Sequence, residues 1–394
     1  MKRVLMLASV ASMIDQFNMT NIALLQKMGY YVDVACNFRE GNTCSDERVA
    51  ELREKLHAVG VHCYQVDFAR NITHMAQNLK ALRQVEHLMQ TEHYAFCHCH
   101  SPIGGVVARI AGHRTRTKII YTAHGFHFYK GAPIKNWMLY YPVEKLLSRW
   151  TDVLITINHE DYERARRKFH AKKTCYVPGV GIEVKRETLS GQQKEAKRKE
   201  LGIPENAFLI VSAAEFTPNK NQITVIQALE QLHHPDIYFV MCGIGEKKQE
   251  LESYVAEHAL GEHIRFAGFR NDLHDILQTA DCFVLSSFRE GLSVALMEAM
   301  SEGLPIVCGR IRGNVDLITD DEGGKLVEPG DTNAYVKAFA ELYKKKQEDP
   351  LGYQQIGEVN KQKIKAFGRE AVEVLMREIY ALQNGIKEKT NAKL

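Results

Sequence analysis

Short apolar runs rich in β-branched residues alternate with amphipathic stretches along nearly the whole chain, and this alternation constrains the fold more than any other feature. The runs form two series: residues 4–8, 31–35, 95–98, 118–122 and 153–157, then residues 209–213, 237–242, 264–267, 282–285 and 305–308. Such alternation is typical of βαβ units, whose parallel strands are buried on both faces. The sequence therefore predicts an α/β protein with two Rossmann-like, doubly wound parallel sheets.

A polar break separates the two series. Residues 183–200 are rich in Lys, Arg, Gln and Glu without an apolar period, and they follow the turn-forming run Pro178-Gly179-Val180-Gly181. We therefore predict a first domain at residues 1–181 and a second at residues 182–368. A chain of 394 residues, 45% of them hydrophobic, can supply both cores. Apolar residues at helical spacing after position 368 predict a last helix, at residues 369–390.

Composition and charge narrow the class of protein. The chain carries 51 basic and 48 acidic residues, a net charge of +3, so we expect no nucleic-acid partner. No run reaches the about 18 apolar residues that span a bilayer. The start, Met1-Lys2-Arg3 before an apolar run, resembles a signal peptide, but it lacks a small-x-small cleavage site and fits a buried strand equally well. Nine scattered cysteines favour a reducing compartment, so we expect a cytoplasmic protein.

The run Cys97-His98-Cys99-His100 contains the residue types that zinc prefers. Neighbouring side chains of an extended strand point to opposite faces, so at most two of the four could reach one ion. We therefore interpret the run as a strand end that leads into the turn at Ser101, and we predict no metal site.

Polar loops follow the strands of the second series, where open parallel sheets bind their ligands. In the strongest of these loops, Glu290 and Gly291 form a turn, and we predict a helix beginning near Leu292 with free backbone amides in its first turn. Such a helix start attracts anions. Glu298 lies about two turns further on, among apolar neighbours, so both carboxylates could face one ligand.

Three other loops of the second series contain candidate site residues. Lys220, just before a predicted helix, would offer a mobile cation to a diphosphate. Gly243 lies in a G-x-G turn that lacks the later glycine of a dinucleotide fingerprint. Backbone groups beside Gly268 and Phe269 could read the edge of a base.

The order of these motifs resembles that of the family 4 glycosyltransferases, retaining enzymes in which two Rossmann-like domains face each other across a cleft (the GT-B fold). The second half of the chain keeps the family's E-x7-E spacing from Glu290 to Glu298. In the first half, the T-A-H-G-F run around His124 resembles the family's active-site histidine, and the S-P-I-G-G run from Ser101 resembles its acceptor-side loop. The stretch that follows His124 is most similar to bacterial members that build capsule, exopolysaccharide and other surface glycans.

The resemblance implies transfer of a hexose or N-acetylhexosamine from a nucleoside diphosphate sugar, with UDP the expected nucleotide, to a hydroxyl of a glycan or lipid-linked acceptor. It implies no metal and no cofactor besides the donor, which is a co-substrate. Lys220 would hold the diphosphate, Glu298 the ribose and Glu290 the donor sugar, while His124 would bond a hydroxyl of the reacting sugar. The remaining candidates are, for the donor, Glu215, Gly243, Gly268, Phe269, Gly291, Leu292 and Ser293 and, for the acceptor, Ser101, Gly104, Gly105 and His127.

One departure from the family pattern concerns Glu215, which stands where the family usually has a phosphate-binding arginine. We hypothesise from the sequence that Arg310 or Arg312 supplies the missing cation. Glu215 also leaves two alternatives open: a sugar-nucleotide-binding subunit without catalysis, and a GT-B sugar-nucleotide epimerase, which needs acids placed for proton transfer.

Two further expectations concern the partners of the chain. The basic run from Arg164 to Lys173 is either a solvated face or a contact with anionic head groups on the inner face of the membrane. The resemblance also implies that the last helix packs back on the first domain.

Overall fold

The computed structural model describes residues 2–42, 44–71, 73–184 and 187–383. Part of the predicted last helix, residues 384–390, lies outside the described residues. The chain divides into two compact units: Met1–Gly181 together with the segment from Glu370, and Ile182–Arg369.

The first unit is built on a parallel sheet. Its described residues form seven strands in the order β3-β2-β1-β4-β5-β6-β7, so the order reverses between β1 and β4. The strands are β1 (Arg3–Val10), β2 (Tyr31–Asn37), β3 (His62–Gln65), β4 (Phe96–His100), β5 (Ile119–Ala123), β6 (Val153–Thr156) and β7 (Lys173–Tyr176). The helices are α1 (Ala11–Phe17), α2 (Met19–Lys27), α3 (Asp46–Ala58), α4 (Met75–Glu92), α5 (Pro102–Thr115), α6 (Ile134–Leu147) and α7 (His159–Lys168).

The second unit repeats this plan. Its described residues form six parallel strands in the order β10-β9-β8-β11-β12-β13, with the reversal between β8 and β11. The strands are β8 (Phe208–Ala213), β9 (Ile237–Cys242), β10 (Ile264–Gly268), β11 (Cys282–Leu285), β12 (Ile306–Gly309) and β13 (Gly324–Val327). The helices are α8 (Gly191–Glu200), α9 (Gln222–Leu232), α10 (Lys248–Glu257), α11 (Leu273–Leu277), α12 (Val294–Ser301), α13 (Asn314–Leu317), α14 (Thr332–Glu348) and α15 (Pro350–Ile364).

Each sheet has a core on both faces, which explains why central strands such as β1 are apolar without alternation. In β1, Met6 belongs to the core on one face, and Leu5 and Leu7 belong to the core on the other. Burying one such side chain contributes about 1.5–3 kcal/mol. The predicted pair of doubly wound parallel sheets is confirmed.

The last helix, α16 (Arg369–Gln383), completes one core of the first unit. Its apolar stripe buries Val372, Met376, Ile379 and Tyr380. The Tyr380 ring stacks on Phe96 of β4 with 5.8 Å between the ring centroids. The helix therefore packs on a strand almost three hundred residues earlier in the chain.

The Cys-His-Cys-His run forms most of β4, and its side chains alternate between faces as predicted. Cys97 and Cys99 lie in one core, while both histidines are buried on the opposite face. Among the described residues, no group of three or more His, Cys, Asp or Glu side chains could hold a metal ion. The helices within the described residues are all too short or too polar to span a membrane.

Candidate functional site

The loops that follow β8 and β11 meet where the strand order of the second unit reverses, the position at which open α/β sheets bind ligands. Several hydrogen bonds join these loops. The Phe288 N–H donates to the Asn219 carbonyl at 2.8 Å, and Asn219 Nδ2 donates to the Arg289 carbonyl at 3.0 Å. Ser286 Oγ donates to the Lys220 carbonyl at 2.8 Å. The two loops therefore form one preorganised surface.

Lys220 and Glu290 lie together on this surface. Lys220 Nζ donates to Glu290 Oε1 at 2.6 Å, and both side chains are partly buried. The predicted diphosphate-binding cation and the predicted sugar-binding carboxylate thus come from loops about seventy residues apart and meet as an ion pair.

The helix of this site, α12, begins at Val294, slightly later than the start predicted near Leu292. Ser293 is the reason, because its hydroxyl caps the helix by accepting the Leu296 N–H at 3.3 Å. Gly291 and Leu292 therefore belong to the loop. The amides of the first turn that need an outside partner are those of Val294 and Ala295.

Glu298 lies on the half-exposed stripe of α12. The stripe includes Val294 and Ala295, one turn earlier, while Leu296, Met297, Ala299 and Met300 are buried. Because residues three and four apart share a helix face, the Glu298 side chain lies on the same face as Val294 and Ala295, whose amides are the open ones of the first turn.

A third loop, after β12, packs against the Glu290 loop. Gly313 has φ of +81°, and a Cβ on it would lie 2.4 Å from the Gly291 carbonyl oxygen, so glycine is required there. The buried Arg312 donates through Nε to the Glu290 carbonyl at 3.3 Å. Arg310 instead pairs with Asp320. Of the two cations suggested by the sequence, Arg312 is the one in contact with the Glu290 loop.

The remaining donor-side candidates lie at the ends of β8, β9 and β10. Gly243 makes the closest approach, since a Cβ on it would lie 2.0 Å from the Ala214 carbonyl oxygen. Its N–H donates to the Gly268 carbonyl at 2.8 Å. Phe269 and Glu215 are exposed. The glycine at 243 thus serves close packing of neighbouring loops beside an accessible aromatic ring.

In the first unit, His124 follows β5 and contacts a second histidine. His124 Nε2 lies 3.0 Å from Nδ1 of His100, the last residue of β4. Burial lowers the pKa of His124 to about 4 and the pKa of His98 to about 3. The pKa of His100 is also lowered well below its usual value, first by burial and then by the neighbouring histidines. All three rings are therefore neutral at pH 7.

The acceptor-side candidates Ser101, Gly104 and Gly105 lie where the strand order of the first unit reverses. Ser101 has φ of +66°, and its hydroxyl accepts the N–H groups of Gly104 at 3.3 Å and of Ser9 at 3.2 Å. A Cβ on Gly105 would lie 2.5 Å from the Tyr121 ring. These three residues are buried, so their contacts in the structure are those of packing and backbone geometry.

The fourth candidate, His127, is partly buried against α6. Its ring stacks on Tyr140 at 4.5 Å between centroids, and its carbonyl accepts from Asn136 Nδ2 at 3.1 Å. These contacts tie the loop after β5 to α6.

Sequence reasoning missed the pairing of His100 with His124. The signal was present, because β4 and β5 are adjacent parallel strands and each carries a histidine at its carboxyl end. Several cations of the basic run that begins at Arg164 have acidic partners on the same helix. Arg164 pairs with Glu160 at 2.8 Å, and Arg166 and Arg167 both pair with Glu163.

Comparisons with known proteins find related sequences for both units. Two family models match the chain: a glycosyl transferase 4-like domain over residues 18–179 and the glycosyl transferases group 1 over residues 193–359. EpsD of Bacillus subtilis (strain 168), a protein assigned to the glycosyltransferases, is 36% identical over 351 residues, which cover 87% of this chain and 88% of EpsD.

A second relative and a solved structure extend the comparison. The Escherichia coli UDP-Gal:alpha-D-GlcNAc-diphosphoundecaprenol alpha-1,3-galactosyltransferase is 28% identical over 281 residues, 69% of this chain and 72% of that enzyme. The crystal structure of Alr3699/HepE from Anabaena in complex with UDP-glucose matches with a TM-score of 0.76 at 18% identity, covering 97% of this chain and 100% of that chain. This likeness confirms the predicted GT-B fold class.

Proposed function

Since the chain belongs to the glycosyltransferases of the group 1 and type 4-like family, we propose that it moves a hexose or N-acetylhexosamine from a UDP-sugar to a hydroxyl, with retention of anomeric configuration. The observation that carries the proposal is the Lys220–Glu290 pair, 2.6 Å apart beside the first turn of α12. The Escherichia coli relative, whose name gives UDP-Gal as donor and a diphosphoundecaprenol-linked sugar as acceptor, supports a UDP-sugar and a lipid-linked glycan of surface polysaccharide synthesis.

In this proposal the diphosphate binds Lys220 and the open amides of α12, where the helix dipole favours negative charge. Glu298 accepts hydrogen bonds from the ribose hydroxyls, and Glu290 turns to a hydroxyl of the donor sugar once the diphosphate takes its place on Lys220. Gly268 and Phe269 would border the base. Lys220 and the helix amides neutralise the leaving diphosphate, so the reaction needs no divalent metal.

The neutral state of His124 suits the same reaction. Retaining transfer passes through an oxocarbenium-like transition state, whose positive charge a cationic imidazole would oppose. With its pKa lowered to about 4, His124 is uncharged at pH 7 and can bond a sugar hydroxyl without that repulsion. We propose that His124 acts on the reacting sugar in this way.

A ligand-binding screen tests the proposal. A nucleotide sugar that binds the native protein raises its apparent stability by about 2.7 kcal/mol at a concentration one hundred times Kd. We expect UDP-sugars to raise the melting temperature and one of them to be consumed when a lipid-linked acceptor is added. Donor epimerised without acceptor would identify an epimerase. Binding without hydrolysis or transfer would identify a non-catalytic subunit.

We propose that Arg312 supplies the phosphate-binding cation that is missing at position 215, where this chain has Glu215. Arg312→Ala should raise the donor KM roughly ten- to a hundredfold, because a charged hydrogen bond contributes about 1.5–3 kcal/mol. Arg310→Ala is the matched control, since Arg310 pairs with Asp320, and its donor KM should stay within a factor of two. Equal effects of both variants, or none from Arg312→Ala, would contradict the assignment.

The acceptor side is proposed to lie at the inner face of the cell membrane, with α6 as the contact. Ile134 and Met138, one helical turn apart on α6, are each 75% exposed, and Leu139 and Leu146 are also exposed. The cations Lys130, Lys135 and Arg149 flank them, while the acid of the helix, Glu144, is buried. An exposed apolar strip flanked by lysines fits an anionic lipid surface.

Vesicle binding checks this contact. The double variant Ile134→Glu with Met138→Glu should bind vesicles of anionic phospholipid at least about tenfold more weakly, because burial of each apolar side chain contributes about 1.5–3 kcal/mol. Leu351→Glu is the control, since Leu351 is 74% exposed on α15 of the other unit. Unchanged binding of the double variant would contradict the proposal, as would an equal loss in the control.

A further inference from the structure

Two sets of hydrogen bonds, joined by a contact between two histidine rings, lie near His124 in the first unit. His98 Nδ1 lies 2.8 Å from the hydroxyl of Tyr380 on α16, and His98 Nε2 lies 2.8 Å from Thr122 Oγ1. His100, two residues after His98 on the same strand, contacts His124. The rings of His98 and His100 are 4.2 Å apart. His98 is therefore held at both nitrogens, and His100 connects this anchored network to His124.

His100 itself combines burial with an unused ring nitrogen. Its side chain is 1% exposed, and Nε2 has no hydrogen-bond partner among the described residues. The ring lines a small pocket with His124, Thr122 and Asn21. A buried polar atom without a partner costs about 1–3 kcal/mol, a cost that an apolar side chain at this position would avoid. Packing alone therefore does not account for a histidine here.

The contact with His124 gives the ring a role. Burial keeps both imidazoles neutral, and a neutral imidazole has one N–H donor and one acceptor nitrogen. One proton therefore lies between His100 Nδ1 and His124 Nε2. The tautomer of His100 fixes that of His124, and with it whether His124 Nδ1 donates or accepts a hydrogen bond. The same contact limits rotation of the His124 ring, which also lies 5.3 Å from the Phe17 ring between centroids.

We propose that His100 is a positioning residue, which fixes the tautomer and orientation of His124 for sugar transfer. The inference rests on the proposed function, in which His124 bonds a hydroxyl of the reacting sugar. A hydroxyl held in the wrong direction displaces the reacting centre, and displacement of about 1 Å can slow an enzyme roughly a hundredfold.

Two substitutions with opposite expectations test the role. His100→Asn keeps a polar group near the δ position and should retain kcat within about threefold. His100→Leu removes the partner of His124 and should lower kcat roughly ten- to a hundredfold, with the donor KM unchanged because the donor residues lie in the other unit. Should His100→Leu fail to fold, His100→Gln replaces it, since its amide reaches the ε position and leaves the δ position empty.

Nitrogen-15 correlation spectra of the histidine rings give a readout that needs no turnover. We expect one tautomer for His124 in the unsubstituted protein and in His100→Asn, and a mixture in His100→Leu. His113→Phe is the control, because His113 is exposed and stacks on Trp150, and it should leave the His124 signals unchanged. A single His124 tautomer in His100→Leu, or equal kcat losses in His100→Asn and His100→Leu, would overturn the proposal. If the protein transferred no sugar, the tautomer result would still decide the role of His100.

Discussion

Lys220→Ala is expected to lower donor-dependent turnover roughly ten- to a hundredfold. The substitution removes a charge-assisted hydrogen bond to the donor diphosphate, about 1.5–3 kcal/mol, and each 1.4 kcal/mol corresponds to a factor of ten. It also leaves the partly buried Glu290 carboxylate without its cation, so that a negative charge opposes the diphosphate. Steady-state kinetics with a UDP-sugar measure the effect as kcat/KM.

A double-mutant cycle separates these two contributions. Glu290→Gln in the Lys220→Ala background removes the opposing charge, so part of the donor affinity should return while transfer stays slow. Lys337→Ala, on the exposed surface of α14, is the control for loss of a lysine and should behave like the unsubstituted protein. Unchanged kinetics in Lys220→Ala would remove Lys220 from the donor site.

The largest loss of stability is expected from Glu144→Leu. The buried Arg109 donates through Nη1 to Glu144 Oε2 at 2.7 Å and through Nε to the Gly105 carbonyl at 2.8 Å, and its guanidinium lies 4.2 Å from the Tyr121 ring centroid. Removing the carboxylate leaves a buried, unpaired cation. Breaking such a pair typically costs about 3–5 kcal/mol of unfolding free energy. Urea denaturation of the protein, monitored by near-ultraviolet circular dichroism, measures this loss of unfolding free energy.

The companion variant replaces both partners. Arg109→Met with Glu144→Leu removes the two charges together and should recover most of the lost stability, because apolar groups of similar size often substitute for a buried pair. A single variant that loses less than about 1 kcal/mol, or a double variant less stable than the single, would show that the pair is not the source of the effect.

Much of the architecture was predictable because local chemistry determines it. Strand β1 is apolar at every position from Val4 to Ala8, a pattern that is typical of a sheet covered on both faces. The same topology places ligands at the carboxyl ends of strands, so Lys220 and Glu290 could be predicted as donor-site residues before their contact was known.

Other features depended on contacts that no local pattern encodes. The start of α12 shifted because Ser293 caps it, and the choice of Arg312 over Arg310 followed from the hydrogen bond of Arg312 to the Glu290 carbonyl. The contact of His100 with His124 depends on the register of β4 against β5, which the spacing of apolar residues does not determine.

The packing of α16 on the first unit has a consequence for biosynthesis. The chain leaves the first unit at Gly181 and re-enters it at Glu370, so in connectivity the second unit is an insertion within the first. Residues 182–369 emerge from the ribosome as one uninterrupted stretch, whereas the surface of Phe96 and His98 stays uncovered until Tyr380 has been synthesised. We therefore expect the second unit to mature first, and a fragment ending at Gly181 to behave as an incomplete domain.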